Sequence, residues 1–267
     1  NTDGIIDQLL RQGKDIVDAR NGGASGCVET GAFGTESYTL TGYFNLAKIL
    51  ELTLYNGFDP RTEKQIGPKT GTLDSFKSYD AFFQAYEHQL QHFIDIKIEG
   101  NNRIEYINAH HLPVPFMSLF TEDCIANAMD YNMGGARYNT SYIQGVGTGS
   151  TTDGLAAIKY HVFDNEHISL SSFRNILEDN FADNEEFRKE LIYRTPKYGN
   201  DVLFADEILN QLFEAFFTSV DGRDTFKNGK FRINLLPTTS HVYFGSVIGA
   251  LPDGRKAGLP LSEGISP

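Results

Sequence analysis

The sequence predicts an α/β fold, because stretches with apolar residues at helical spacing alternate with short runs rich in β-branched and aromatic residues. Glycine-rich connections separate the two kinds of element. In chain order, Ile5 to Ala19 sets Ile5, Leu9, Ile16 and Val17 at helical spacing, and the glycine- and alanine-rich run from Asn21 to Gly34 follows as a loop. Tyr43 to Asn56 reads as a helix through Leu46, Ile49, Leu50 and Leu54, with Gly57 as its C-terminal cap. A polar turn region from Asp59 to Gly71 leads to a long amphipathic helix, Tyr79 to Ile98, whose buried side holds Phe82, Phe83, Tyr86, Leu90, Phe93 and Ile94. The prolines of His110 to Pro115 break that pattern, and a short strand then leads into a helix from about Leu119 to Tyr131. A second glycine-rich stretch, Gly134 to Gly149, contains a strand through Tyr142, Ile143 and Val146. Helices are predicted to begin near Thr152, Ser171, Asn184 and Asp201, the last ending near Val220. Phe231 to Leu236 and His241 to Ile248 read as strands on either side of Pro237 to Ser240. No repeat or linker divides the 267 residues, which are expected to form one partial domain.

Hydrophobic residues make up 40% of the chain and charged residues 22%, the balance of a globular protein with a sizeable core. The net charge of −12 disfavours nucleic acid or an anionic membrane surface as partner, since both would repel it. No apolar run reaches the roughly 18 residues that a membrane span needs. Two cysteines 97 positions apart fit neither a zinc pattern nor a disulfide framework, so a reducing, cytoplasmic setting is expected. The first residues include no initiator Met and no signal core, and Leu261 to Pro267 closes on no terminal element; a piece of a longer protein is expected.

Chemistry concentrates at Gly26-Cys27-Val28-Glu29. In an extended segment residues i and i+2 point to one side, which would set a thiol and a carboxylate on one pocket with glycines clearing space around them. Such a pair suits a reaction in which sulfur does one job and the carboxylate handles a proton. The residues alone leave two other readings open: an inert core cysteine, or a Cys–His hydrolase, although none of the seven histidines sits in a nucleophile–base context. His110 and His111 lack a third ligand at metal spacing and read as structural, so no metal is expected. Gly145-Val-Gly147-Thr-Gly149 lacks the Gly-Lys-Ser/Thr of a phosphate loop and reads as a strand with its turn. Arg137 either pairs with a carboxylate or holds a loop, Cys124 reads as packing on a helical face, and Glu185-Glu186 as a solvated helix face.

The run Ser25-Gly-Cys27-Val-Glu29-Thr-Gly-Ala-Phe-Gly-Thr-Glu-Ser-Tyr38-Thr-Leu-Thr-Gly-Tyr43-Phe-Asn45 closely resembles the cysteine loop of the glycyl radical enzymes. Three further stretches agree with that family in the same order: Tyr131-Asn-Met-Gly-Gly-Ala-Arg137-Tyr-Asn139, Thr195-Pro-Lys-Tyr-Gly-Asn200-Asp201, and Ala250-Leu-Pro-Asp-Gly-Arg255 with Pro260-Leu-Ser-Glu-Gly264. The resemblance implies the cysteine-loop half of a ten-stranded α/β barrel with surrounding helices. The N-terminal half and the glycyl radical loop would lie outside the chain, and the fragment would be inactive by itself. It also implies a backbone glycyl radical, installed by a radical S-adenosylmethionine activating enzyme, and a homodimeric, anaerobic lyase with no other bound cofactor. By the same resemblance Cys27 would become the thiyl radical that takes hydrogen from a small-molecule substrate, and Glu29 would be its proton-handling partner.

Val28 after Cys27 departs from the adjacent cysteine pair of the formate acetyltransferases, and resembles the eliminating members instead. Thr30-Gly31 departs from the proline that diol dehydratases and choline lyases usually carry there. Thr30 to Gly34 and Leu40 to Asn45 look most like the branch that dehydrates trans-4-hydroxy-L-proline. That likeness implies hydrogen abstraction at the ring carbon beside nitrogen, loss of the C4 hydroxyl with help from Glu29, and 1-pyrroline-5-carboxylate as product. It implies Tyr43 and Phe33 as substrate-lining aromatics and Thr238 or Thr239 as a hydroxyl donor. Their plainer readings are a core tyrosine with a satisfied hydroxyl and a capped turn after Pro237. Another eliminase of the family, a C–N or C–S lyase, a decarboxylase, or a non-catalytic paralogue are the alternatives.

Overall fold

The computed structural model describes residues 2–26, 28–236 and 238–263, so Cys27 and Pro237 lie outside the described residues. The chain begins with α1 (Thr2–Arg11), α2 (Ile16–Arg20), β1 (Gly22–Ser25), β2 (Glu29–Ala32) and β3 (Glu36–Asn45). There follow α3 (Leu46–Leu54), a small antiparallel hairpin of β4 (Phe58–Asp59) and β5 (Lys64–Gln65), α4 (Tyr79–His111) and α5 (Pro115–Phe120). Next come β6 (Tyr138–Val146), α6 (Thr148–Ile158), a π-helical turn (Lys159–Asp164), α7 (Leu170–Glu178), α8 (Glu185–Tyr193), α9 (Leu203–Val220), β7 (Lys230–Asn234) and α10 (Ser240–Ser246). The main sheet has the order β3-β6-β7, and β6 and β7 pair in parallel from Thr140↔Lys230 to Gln144↔Asn234. An α/β chain with a parallel pair is therefore confirmed. The ten-stranded closure implied by the resemblance involves more strands than these. Among the described residues, no helix is long and apolar enough to cross a membrane.

Several expected boundaries are corrected. The first helix is two helices, because Gly13 takes φ +87° and the Asp15 carboxylate accepts the Val17 N–H at 2.8 Å, capping a new start. The second begins at Leu46 rather than Tyr43, since β3 continues to Asn45, whose side chain accepts the Lys48 N–H at 3.1 Å. Helix α4 continues past Ile98 to His111, its polar stretch bridged by Arg103 and Glu99. The expected strand and helix over 112–131 are replaced by α5, which starts on Pro115, and by turns; Asp123 (φ 73°) and Ala128 (φ 48°) adopt backbone that an α-helix cannot contain. Cys124 is buried in those turns, not on a helical face. His241 to Ile248 is helical over α10 rather than a strand, and Gly245 lies so close to the Leu259 carbonyl that a Cβ there would sit 2.1 Å from its oxygen.

Two compact units emerge, one from Asn1–Gly42, Asp95–Gln144 and Val220–Asn234, the other from Tyr43–Ile94, Gly145–Ser219 and Leu235–Pro267. In the second, α3 lies against α6, and Gly154 permits the approach: a Cβ there would stand 2.8 Å from Leu50 Cδ2. Leu46, Leu50, Leu52, Phe82, Tyr86, Leu90 and Phe216 are almost fully buried in this unit. Each such apolar side chain contributes about 1.5–3 kcal/mol relative to exposure.

The first unit carries the antiparallel pair β1–β2, backed by Leu9 of α1. Behind it the Glu36 carboxylate accepts the Ala32 N–H at 2.7 Å and the Thr140 hydroxyl, and pairs with the Lys14 ammonium at 2.9 Å. Both charged side chains are nearly sealed from solvent, and burial pushes the Lys14 amine below its ordinary pKa against the pull of Glu36. Removing one member of such a pair strands the other charge. Lys14→Met in the full-length protein is expected to lower stability by about 3–5 kcal/mol, read as a lower urea midpoint. An unchanged midpoint would show that the pair holds nothing together.

Candidate active site

Strands β1 and β2 pair in the register Gly22↔Ala32, Gly23↔Gly31, Ala24↔Thr30 and Ser25↔Glu29, so residues 26–28 connect them. Gly26 takes φ +61° and Val28 belongs to a turn. The alternation expected of Cys27 and Glu29 falls on a residue outside the described ones; its neighbours Gly26 and Val28 belong to turns rather than to a strand. Three of the glycines, Gly22, Gly23 and Gly31, make room for the chain's own side chains. A Cβ on Gly23 would lie 2.7 Å from the Phe33 ring, one on Gly31 would lie 2.4 Å from the Tyr38 ring, and one on Gly22 would strike Leu9. The chain's own side chains occupy that space, and the hairpin is thin because rings lie on it.

Glu29 is buried at the head of β2. Its Oε1 accepts a hydrogen bond from Gln144 Nε2 at 2.7 Å, and its Oε2 accepts the Val28 N–H at 3.3 Å. Gln144, fully buried on β6, is a partner of Glu29 that the sequence reading did not name. Its Oε1 is sealed from solvent with no hydrogen-bond partner among the described residues. A buried acceptor left unmet costs about 1–3 kcal/mol, which a ligand N–H or O–H would recover. The signal that could have found it is a lone amide in the apolar strand run Tyr142-Ile143-Gln144-Gly145-Val146. Two residues earlier on the same strand face, the Tyr142 hydroxyl donates to the Thr30 carbonyl at 2.7 Å and lies 3.2 Å from the Thr30 hydroxyl. Burial pushes that phenol above its ordinary pKa, so it remains a neutral donor holding β2 in place.

Cys27, expected to become the hydrogen-abstracting thiyl, lies outside the described residues. Phe33 is half exposed, its ring against Gly23. In the second unit Tyr43 and Thr238 are brought together, their hydroxyls 3.2 Å apart, with Thr238 at φ 52° and its carbonyl 3.0 Å from His241 Nδ1. Thr239 stands exposed at the start of α10 and caps nothing with its side chain. Arg137 does pair with carboxylates, those of Asp18, Glu122 and Asp123, and thereby holds the loop before β6.

A buried, amide-held glutamate at the end of a tight hairpin can accept or deliver one proton at a fixed oxygen. Known proteins resemble the chain as a whole. The chain is 53% identical to trans-4-hydroxy-L-proline dehydratase of Clostridioides difficile, over all of its 267 residues and 34% of the relative. It superposes on the crystal structure of hydroxyproline dehydratase from that organism, with trans-4-hydroxy-L-proline bound, at a TM-score of 0.98 and 53% identity, covering 100% of this chain and 34% of that one. The glycerol-bound B12-independent glycerol dehydratase of Clostridium butyricum matches at a TM-score of 0.94 and 37% identity, over 98% of this chain and 33% of that one. The chain thus spans about a third of the length of the relatives it matches. The family model described as pyruvate formate lyase-like matches residues 1–245, and with the glutamate hairpin in the same stretch the chain belongs to the pyruvate formate lyase-like family.

Proposed function

We propose that the whole protein of which this chain is part dehydrates trans-4-hydroxy-L-proline to 1-pyrroline-5-carboxylate by glycyl radical chemistry. The observation that carries this reading is the 53% identity to a hydroxyproline dehydratase across every residue of the chain. A glycyl radical on a loop outside these residues, made by an activating enzyme, supplies the unpaired electron that generates a thiyl at Cys27. Cys27 takes the hydrogen atom from the ring carbon beside nitrogen, which delocalises the new radical onto that nitrogen. Glu29 delivers a proton to the C4 hydroxyl, since hydroxide departs slowly unless it leaves as water. The ring nitrogen gives up its proton as the carbon–nitrogen double bond forms, restoring the proton that left in water; Cys27 then returns its hydrogen atom to C4, and the net loss of one water gives the cyclic imine. The amide of Gln144 holds Glu29 Oε1, and the Val28 N–H meets Oε2. Tyr43 and Thr238 offer paired hydroxyls, and Phe33 an aromatic face, to the substrate. A homodimer in the cytoplasm, visited by its activating enzyme, completes the reading.

The test is to incubate the full-length, activated protein with trans-4-hydroxy-L-proline and to measure the pyrroline formed. Product is expected, together with a glycyl radical doublet in electron paramagnetic resonance. A doublet without product would shift the reading to another eliminase of the family, with diols as the first alternative substrates. Absence of the doublet after activation would leave only a non-catalytic role.

A further inference from the structure

We propose that His161, His167 and Glu190 form a binding site for one divalent transition ion of the zinc type. One ring nitrogen from each histidine and one carboxylate oxygen of Glu190 lie within 4.8 Å of one another. His161 is fully buried in the π-helical turn after α6, His167 is exposed before α7, and Glu190 is half-buried on α8. The π-helical turn, the connection before α7 and α8, all of the second unit, thus converge on one point.

A second, independent feature of His161 points to a ligand. Its Nδ1 is sealed from solvent and has no hydrogen-bond partner among the described residues. On the other side of the ring, Nε2 lies 2.8 Å from the Thr195 hydroxyl, which itself donates to the Glu190 carbonyl at 3.3 Å. A hydroxyl has a single proton; having given it to the carbonyl, Thr195 accepts from Nε2–H. The tautomer this fixes is a neutral imidazole with an unused lone pair on Nδ1, the form in which histidine binds metals.

Glu190 forms no ion pair with a lysine or arginine among the described residues, so its charge is available. Two imidazoles and one carboxylate favour zinc over calcium or magnesium, which take oxygen ligands. Bonds of about 2.0–2.2 Å set tetrahedral ligand atoms about 3.4 Å apart, so the three groups must draw together by about an ångström. Rotation of exposed His167 and half-buried Glu190 supplies that movement, and water would take the fourth position. The bound ion would tie the link between α6 and α7 to α8. Gaps of 6 and then 23 residues separate the ligands along the chain, which hides the set from a search for short motifs.

Zinc binding to the chelator-stripped, full-length protein would be followed by calorimetry and by thermal unfolding. One equivalent is expected to bind this site and raise the Tm. His167→Gln and Glu190→Gln are each expected to weaken zinc at least about tenfold and to abolish the Tm rise. Both positions are partly open to solvent, so the variants should match the parent Tm without zinc, and His161→Gln is not needed. Failure of zinc to bind the parent, or equal affinity in both variants, would overturn the proposal.

Discussion

Cys27→Ser in the full-length, activated protein is expected to reduce turnover to background while the glycyl radical doublet persists. Serine closely matches the size and shape of the cysteine side chain, so folding should be retained. An alcohol O–H bond is much stronger than a thiol S–H bond. A stabilised backbone radical can therefore exchange hydrogen with sulfur but not with oxygen. The step lost is the entry into the radical cycle, and no neighbouring group can replace it; removal of a residue of this kind typically costs about 10⁶-fold. Pyrroline formation above a thousandth of the parental rate would sink the assignment of Cys27. The spectrum separates this failure from a failure of activation, because serine at position 27 leaves the radical-bearing glycine intact.

How much of this was legible beforehand depended on whether the signal was local. Helix α9 and strand β6 announced themselves through long apolar periodicity and a β-rich run, and both fall close to where they were expected. Helix α10 did not, because His-Val-Tyr-Phe-Gly-Ser-Val-Ile has no clean period, and what sets its packing is the approach of Gly245 to the Leu259 carbonyl. The break between α1 and α2 was written in Gly13 and Asp15, but apolar spacing ran straight across it. Glu29 was visible through its motif. Its partner Gln144 was not, since 115 residues separate them and only the β3-β6-β7 sheet carries the amide toward the carboxylate. The histidine cluster was invisible for the same reason, as the lone pair on His161 Nδ1 is left by a hydrogen bond that Nε2–H donates to Thr195, five positions beyond Glu190.

Glu29→Gln is the substitution that tests the proton step apart from the radical step. An amide keeps the size of the side chain and can still accept from Gln144 Nε2 through its oxygen, so the hydrogen bond at 2.7 Å has a replacement and the fold should hold. The other end changes character. Where Glu29 presents Oε2 near the Val28 N–H, glutamine presents its NH₂ group, which has no acidic proton to deliver to a departing hydroxyl. A fall in kcat of about 10²–10⁴ is expected, with KM little changed, because the lost interaction belongs to the transition state rather than to binding. Hydrogen exchange between substrate and Cys27 precedes water loss and should survive in the variant. Deuterium placed on the ring carbon beside nitrogen would then wash out of recovered substrate. Retention of more than about a tenth of parental kcat would remove Glu29 from the proton path. Loss of the isotope washout together with turnover would instead assign the glutamate to positioning the thiol.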